Sequence, residues 1–362
     1  MSAVQSSTAQ MPSPVATRAG AWPEAAAQPL DPQVAQLLDM VSRAKRPPLN
    51  ALDPVDAKIA YEKSSPIVDI APQPVFAVED LAVPARDGHS LRVRLYRPRA
   101  AAAGERLPLL VYYHGGGFTV GSVNSHDALC RMFCAQADTV VASVDYRLGP
   151  EWKFPTAVHD AQDALRWAFD SANALGVDAA RIALGGDSAG GTLAAVTAVQ
   201  ARTQGLAPVL QMLIYPGTCA RQDTASHRRL AHGYLLTAEM IHWFFSQYLC
   251  SDAQRDDWRF APLDAGGSGA DVRGVCPAWI AVAGYDPLHD EGVAYARKLE
   301  QAGVAAELAS YPGMIHDFFK LGRFVPAVAQ AHGDAVDALR RAFGTLPPSG
   351  GAQGDRGGTM PP

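Results

Sequence analysis

The stretch Gly186-Asp187-Ser188-Ala189-Gly190 fits the pattern G-x-S-x-G. The apolar run RIALG leads into it, and the small-residue stretch AGGTLAAVTAVQART leads out. Ser188 therefore sits where a strand turns at once into a helix. Such a turn forces the serine into a strained conformation, and the glycines on either side let the backbone close up. The hydroxyl is then held above the carboxyl edge of a sheet, where the next helix N-terminus favours developing negative charge. The chemistry this suits is nucleophilic attack on an acyl carbon. A phosphate-binding turn is also glycine-rich, but GGDSAGG lacks the lysine of a P-loop.

A nucleophilic serine needs a base, an acid to orient the base, and donors for the oxyanion. His114-Gly115-Gly116-Gly117-Phe118 ends the apolar run LPLLVYY, and its glycines let N–H groups approach a substrate oxygen unobstructed. Alone it reads as a flexible turn; upstream of the Ser188 elbow it reads as an oxyanion loop. His114 precedes the nucleophile, whereas the order expected with this elbow is serine, acid, histidine. It reads as a loop anchor. The acid is expected at Asp286, at the end of the strand AWIAVAGYD. Asp290 competes but falls where the next helix begins, as an N-cap. The base is expected at His316, in YPGMIHDFFK after the strand AAELASY. His126, His159, His227, His232, His242 and His289 have no comparable placement and read as structural or exposed.

These groups must be positioned by alternating elements. Asp31-Pro32 starts a helix carrying Leu30, Val34, Leu37, Leu38 and Val41 at helical spacing, and Asp53-Pro54 starts a second. Preceding any strand, both are expected in a lid. VFAVEDLAVPA and SLRVRLYRP form an antiparallel hairpin around Asp87-Gly88. From LPLLVYYHG onward, continuous apolar strands alternate with amphipathic helices, which predicts a doubly wound, mostly parallel α/β sheet covered on both faces. Residues 218 to about 262 interrupt the alternation with a helical, aromatic insert containing Trp243, Phe244 and Phe245. These aromatics suit either the lining of a pocket or ordinary core packing. The last helix is expected over about 323–343.

The expected organisation is a disordered segment over 1–29, a catalytic domain over 30–343 and a disordered tail over 344–362. About 30–65 and 218–262 form the cap. A net charge of -5 and the absence of a basic run argue against a nucleic-acid partner. His227-Arg228-Arg229, the nearest to one, reads as a solvated turn. No signal-peptide pattern or membrane-length apolar run is present, and five irregularly spaced cysteines do not form a disulfide framework. Cys130 and Cys134 share a helix face, without the further ligands a metal would need, and read as buried apolar residues. A cytoplasmic protein is expected.

HGGGF, DYRLGPEWKFP, GGDSAGG, YDPLHDEG and YPGMIHDF, in this order, resemble the signatures of the hormone-sensitive-lipase-like family of microbial esterases, in its GDSAG branch. The resemblance covers roughly residues 30–343. It implies an eight-stranded α/β-hydrolase fold with a helical cap, and a carboxylesterase acting on short-to-medium acyl esters with no metal or organic cofactor. It implies Ser188 as nucleophile, Asp286 as acid and His316 as base. The oxyanion donors would be the N–H groups of Gly116, Gly117 and Ala189, with Gly115 left open. A homodimer through the last strand and helix would fit the family too. An amidase or carbamate hydrolase, a lipase on longer esters, and a non-catalytic ligand-binding member of the superfamily are the alternatives. The chain departs from the family at Asp317, where glycine is usual, and at Gly149, where alanine is usual. The first could raise the pKa of His316 or narrow the acyl pocket; no catalytic effect is expected from the second.

Overall fold

A computed structural model describes residues 22–346. Two helices lead, α1 (Pro32–Ala44) and α2 (Pro54–Val68). Both begin as Asx-Pro pairs dictate: Asp31 and Asp53 accept N–H bonds from the first turn, and proline holds the first helical position. The strands β1 (Ala77–Pro84) and β2 (Ser90–Arg97) then form the expected hairpin. There follow β3 (Leu107–Tyr113), α3 (Asp127–Ala137), β4 (Val140–Asp145), α4 (Thr156–Asp170), the single turn α5 (Ala172–Leu175), β5 (Val177–Asp187) and α6 (Ala189–Thr203). After β6 (Gln211–Ile214) come α7 (Ala225–Arg229) and α8 (Ala238–Tyr248) of the insert. The chain closes with β7 (Ala278–Tyr285), α9 (His289–Gln301), β8 (Ala306–Ile315) and α10 (Val328–Ala342).

The eight strands form one sheet in the order β1-β2-β4-β3-β5-β6-β7-β8, the eight strands that the resemblance to the α/β-hydrolase fold implies. Only β2 runs against its neighbours, β1 and β4; β3 to β8 pair in parallel. Strand β3, LPLLVYY, is buried at every position, as a strand covered on both faces must be. Leu165 of α4, Val196 of α6 and Leu299 of α9 belong to the core on one face, and Phe133 of α3 and Val336 of α10 to the core on the other.

Parallel strands place all their carboxyl ends on one edge, and His114, Ser188, Asp286 and His316 each directly follow one of them. Over this edge a small apolar cluster joins Ala57 of α2 and Ile241 and Phe244 of α8 to Val120, beyond the glycine loop, and Leu288, beyond Asp286.

Several expectations need correcting. Helix α1 does not sit with α2 in a lid: Val34 and Leu37 join the sheet-face core with Tyr311, Met314 and Ile315. The apolar stripe that marks it as amphipathic is satisfied by the sheet. Residues 22–29 were expected to be disordered but pack beside β7, with Ala25 buried and the Ala26 N–H donating to Gly284 O at 2.7 Å. The expected disorder of 1–21 and 347–362 falls outside the described residues. The last helix starts at Val328, because Pro326 and a 3₁₀ turn at Phe318–Lys320 shape the preceding segment.

Candidate active site

Ser188 occupies φ 53°, ψ −119°, a region that L side chains rarely adopt. Close packing holds it there. A Cβ on Gly186 would lie 2.4 Å from Tyr113 O, and one on Gly190 would lie 1.9 Å from the same oxygen. Only glycine lets β5 and α6 approach β3 this closely. The Ser188 N–H donates to Ile214 O at 2.8 Å, which pins the turn to β6.

His316 Nε2 lies 2.9 Å from Ser188 Oγ, and His316 Nδ1 lies 2.7 Å from Asp286 Oδ2. The second carboxylate oxygen of Asp286 accepts the Leu288 N–H at 2.8 Å. Asp286 is fully buried and His316 nearly so, while Ser188 is half-exposed. A relay of this polarity can draw a proton from the serine and hold the resulting imidazolium. Burial alone would depress the His316 pKa, but the charge and hydrogen bond of Asp286, with Asp317 and Asp187 adding to them, raise it above the ordinary value.

Gly116 and Gly117 adopt positive φ, 118° and 59°, in the loop after β3. Among the described residues nothing accepts a bond from their N–H groups or from that of Ala189, the first of α6. Gly115 differs: its N–H donates to Asp187 Oδ1 at 3.0 Å, so it is committed elsewhere and not free for a substrate oxygen. His114 behaves as a loop anchor. Its carbonyl accepts the Tyr146 hydroxyl at 2.7 Å, its ring stacks on Tyr146, and Nδ1 meets Gly115 O at 2.8 Å. Burial, with His126 beside it, lowers its pKa to about 4, so it is neutral at pH 7.

The sequence reading missed Asp187, although it stands inside the nucleophile motif. Fully buried, it accepts from Tyr112 Oη at 2.7 Å and Gly115 N, and His126 Nε2 lies 3.3 Å away. Burial opposes its charge, yet His126, Tyr112 and Lys320 hold its pKa well below the usual carboxylate range. It ties the glycine loop to the elbow, and His126 shares this structural task. Glu291 was also missed. It accepts the N–H groups of Thr218 and Cys219 and pairs with His227 Nε2 at 3.0 Å, anchoring the chain where it leaves β6 for the insert. His227 is thus buried in α7 and not part of a solvated turn, while Arg228 and Arg229 are exposed.

Asp290 is not an N-cap. It lies one residue into α9 and accepts the Ser226 N–H at 2.8 Å. His289 is buried against it, and His232 and His242 are exposed. Of the three insert aromatics, Phe244 faces the glycine loop: a Cβ on Gly117 would lie 2.3 Å from its ring. Phe245 packs instead on Phe260 and Arg255. Gly149 lies against the end of α8, where a Cβ would come 2.6 Å from Gln247 O. Cys130 and Cys134 are buried in the apolar core. Two surface hollows, of about 660 and 300 Å³, lie by Trp258 and Arg259 and by Arg147 and Trp152; neither is lined by Ser188, Asp286 or His316. Among the described residues no helix is long and apolar enough to cross a membrane.

A family model described as alpha/beta hydrolase fold matches residues 110–320. An ethyl acetate hydrolase of Pseudomonas putida is 43% identical over 318 residues, 86% of this chain and 99% of that protein. A carboxylic ester hydrolase of Mycobacterium tuberculosis is 44% identical over 276 residues, 74% of this chain and 71% of that protein. Among solved structures, an ester hydrolase from the metagenome of Lake Arreo, complexed with a bipyridine phosphonate derivative, matches with TM-score 0.82 at 40% identity. The match covers 87% of this chain and 100% of that one. An esterase from the archaeon Pyrobaculum calidifontis matches with TM-score 0.81 at 39% identity, over 87% of this chain and 99% of that one.

Proposed function

The chain belongs to the hormone-sensitive-lipase-like family of α/β-hydrolase-fold esterases and is a carboxylic ester hydrolase, and we propose that it cleaves short-to-medium acyl esters through an acyl-enzyme on Ser188. His316 takes the Ser188 proton as Oγ attacks the ester carbonyl, and Asp286 holds the imidazolium. The N–H groups of Gly116, Gly117 and Ala189 receive the oxyanion. The alcohol leaves with the proton from His316. Water, deprotonated by His316, then attacks the acyl carbon; the acid leaves and Ser188 regains its hydrogen. The observation that carries this reading is the unbroken line of short contacts from Asp286 through His316 to the Ser188 oxygen.

The roof of the site bears on acyl chain length. Phe244, Ile241, Leu236 and Leu288 close an apolar cluster with Ala57 and Val120 over the sheet edge, a roof that supports a limited acyl pocket. Hydrolysis of acetyl, butyryl, octanoyl and longer p-nitrophenyl esters, with an anilide alongside, tests the class. The expected result is a maximum at butyryl or shorter-to-medium esters and negligible anilide cleavage. A rate that keeps climbing beyond octanoyl would make the chain a lipase, and full activity in Ser188→Ala would remove the mechanism. A homodimer through β8 and α10 and a cytoplasmic location complete the proposal. β8 ends the sheet with one edge unpaired among the described residues, and all five cysteines are free, as in a reducing compartment.

A further inference from the structure

Beyond His316 the same loop carries a buried cation that the mechanism does not use. Lys320 is 1% exposed. Its Nζ donates to Tyr61 Oη at 2.8 Å and Ser65 Oγ at 3.3 Å, and it stands 4.3 Å from the centre of the Tyr61 ring. Both partners belong to α2. The third direction faces Asp317, whose Oδ2 is 4.0 Å away. Burying an ammonium is costly unless its donors and charge are met, and here the partners come from a different element.

Arg323, three residues on, extends the grip. Its side chain donates to Pro66 O at 3.2 Å and Asp69 O at 3.3 Å, and its N–H to Val68 O at 3.2 Å. These carbonyls end α2, where a helix has no internal donors left and the dipole favours a cation. From the other side Glu62 of α2 accepts from Ser122 Oγ at 2.5 Å and from Asn124 Nδ2 at 2.8 Å, just beyond the glycine loop. Helix α2 is bracketed between the loop that carries the base and the loop that carries the oxyanion donors.

We propose that Lys320 is a positioning residue for His316, fixing the loop of the base against α2 and balancing the Asp317 carboxylate beside the imidazole. The proposal rests on the triad reading above. Asp317, next to His316 in the chain, holds φ 66° without being glycine, and its half-buried carboxylate lies 4.0 Å from the lysine. The groups around His316 are Asp286 after β7, Ser188 and Asp187 at the elbow, the Tyr215 ring after β6, and Asp317. Around Lys320 they are Tyr61 and Ser65 of α2 and Asp69 just past its end, with Asp317 and Asp187; His332 of α10 bonds to Phe319 O close by.

The test is the pH profile of kcat/KM for p-nitrophenyl butyrate in wild type, Lys320→Met, Asp317→Asn and the double variant. Removing the ammonium leaves Asp317 unbalanced, so the acid limb moves up by roughly half a unit; removing the carboxylate moves it down by roughly as much. In the double variant the limb returns towards wild type. Tyr61→Phe keeps the charge but weakens the grip, and lowers kcat about threefold to tenfold with the limb unmoved. Coincident limbs for wild type and a folded Lys320→Met would overturn the proposal. If Lys320→Met does not fold, Asp317→Asn decides, and an unmoved limb there overturns it equally. Labelling of wild-type Ser188 by an organophosphonate separates the two readings. An unreactive serine sinks the triad and this proposal together, whereas a labelled serine with unmoved limbs sinks only the role of Lys320.

Discussion

Gly117→Ala puts the oxyanion loop to a direct test. The backbone at this residue has φ +59°, where an alanine costs about 1–2 kcal/mol relative to its ordinary conformations. The new Cβ would also lie 2.3, 2.5 and 2.6 Å from three carbons of the Phe244 ring, about an ångström inside normal contact. A ring held in the apolar cluster with Ile241 and Leu288 cannot slide away freely, so the loop must yield instead. A shift of that size moves the Gly117 N–H out of reach of the oxyanion. Loss of one such donor costs about 10²–10³ in kcat. The variant is therefore expected to lose about 10² in kcat with KM nearly unchanged, because the donor acts chiefly on the transition state. Adding Phe244→Ala removes the obstruction but not the backbone strain, and should restore about tenfold of the loss. Steady-state kinetics on p-nitrophenyl butyrate reads both variants, with the melting temperature as control. A Gly117→Ala enzyme with wild-type kcat, or a double variant no better than the single, would refute the reasoning.

Asp286→Asn should drop kcat about 10⁴-fold while leaving the fold intact, since the amide holds the wrong imidazole tautomer; a loss under tenfold in burst-phase kinetics would exclude Asp286 as the acid. The base works only when neutral, and its pKa is raised, so kcat/KM should fall as pH drops through a value above the ordinary imidazole range of about 6.5. An acid limb centred below about 6 would contradict that. Asp69, almost fully buried, has its pKa raised to about 7, chiefly by desolvation and against the pull of Lys320. An acid raised in the folded state confers stability that is full below about 4 and lost as pH rises to 7. Asp69→Asn can still accept the Ile70 N–H and should be more stable than wild type by about 2–4 kcal/mol at pH 8, with the gain vanishing near pH 4. Urea melts at the two pH values would show it, and a gain independent of pH would count against the assignment.

How much of this was legible in the chain differs from residue to residue. The strands and the order of the site residues were, because parallel strands buried on both faces write themselves as continuous apolar runs and their carboxyl ends share one edge. Ser188, Asp286 and His316 could each be placed from the strand before it. Helix α1 was misassigned for a physical reason: an amphipathic stripe states that a face is covered, not what covers it. The same limit applies to Trp243, Phe244 and Phe245, which spacing alone could not sort into pocket and core. Asp187, Glu291 and Lys320 were invisible as functional groups, since a charged residue in sequence reads as exposed unless its partners are known. Their partners lie 60 to 260 positions away along the chain.

Asp187 shows what those distant partners accomplish. HGGGF and GGDSAGG carry few side chains that could lock one against the other by packing, so apolar burial cannot set their relative position. The glycines instead remove obstacles: a Cβ on Gly115 would lie 2.2 Å from Asp187 Oδ2, and one on Gly190 would lie 2.6 Å from His114 O. Directional bonds then supply the register, with Gly115 N and Tyr112 Oη both donating to Asp187 Oδ1 and His126 approaching Oδ2. A buried carboxylate is expensive to hold, and it is held because three donors converge on it. With its N–H held in this bond, Gly115 has none to offer a substrate oxygen, and the proposed mechanism gives that task to Gly116, Gly117 and Ala189. The residue beside Ser188 thereby decides which amides of the glycine loop stay free of an internal acceptor.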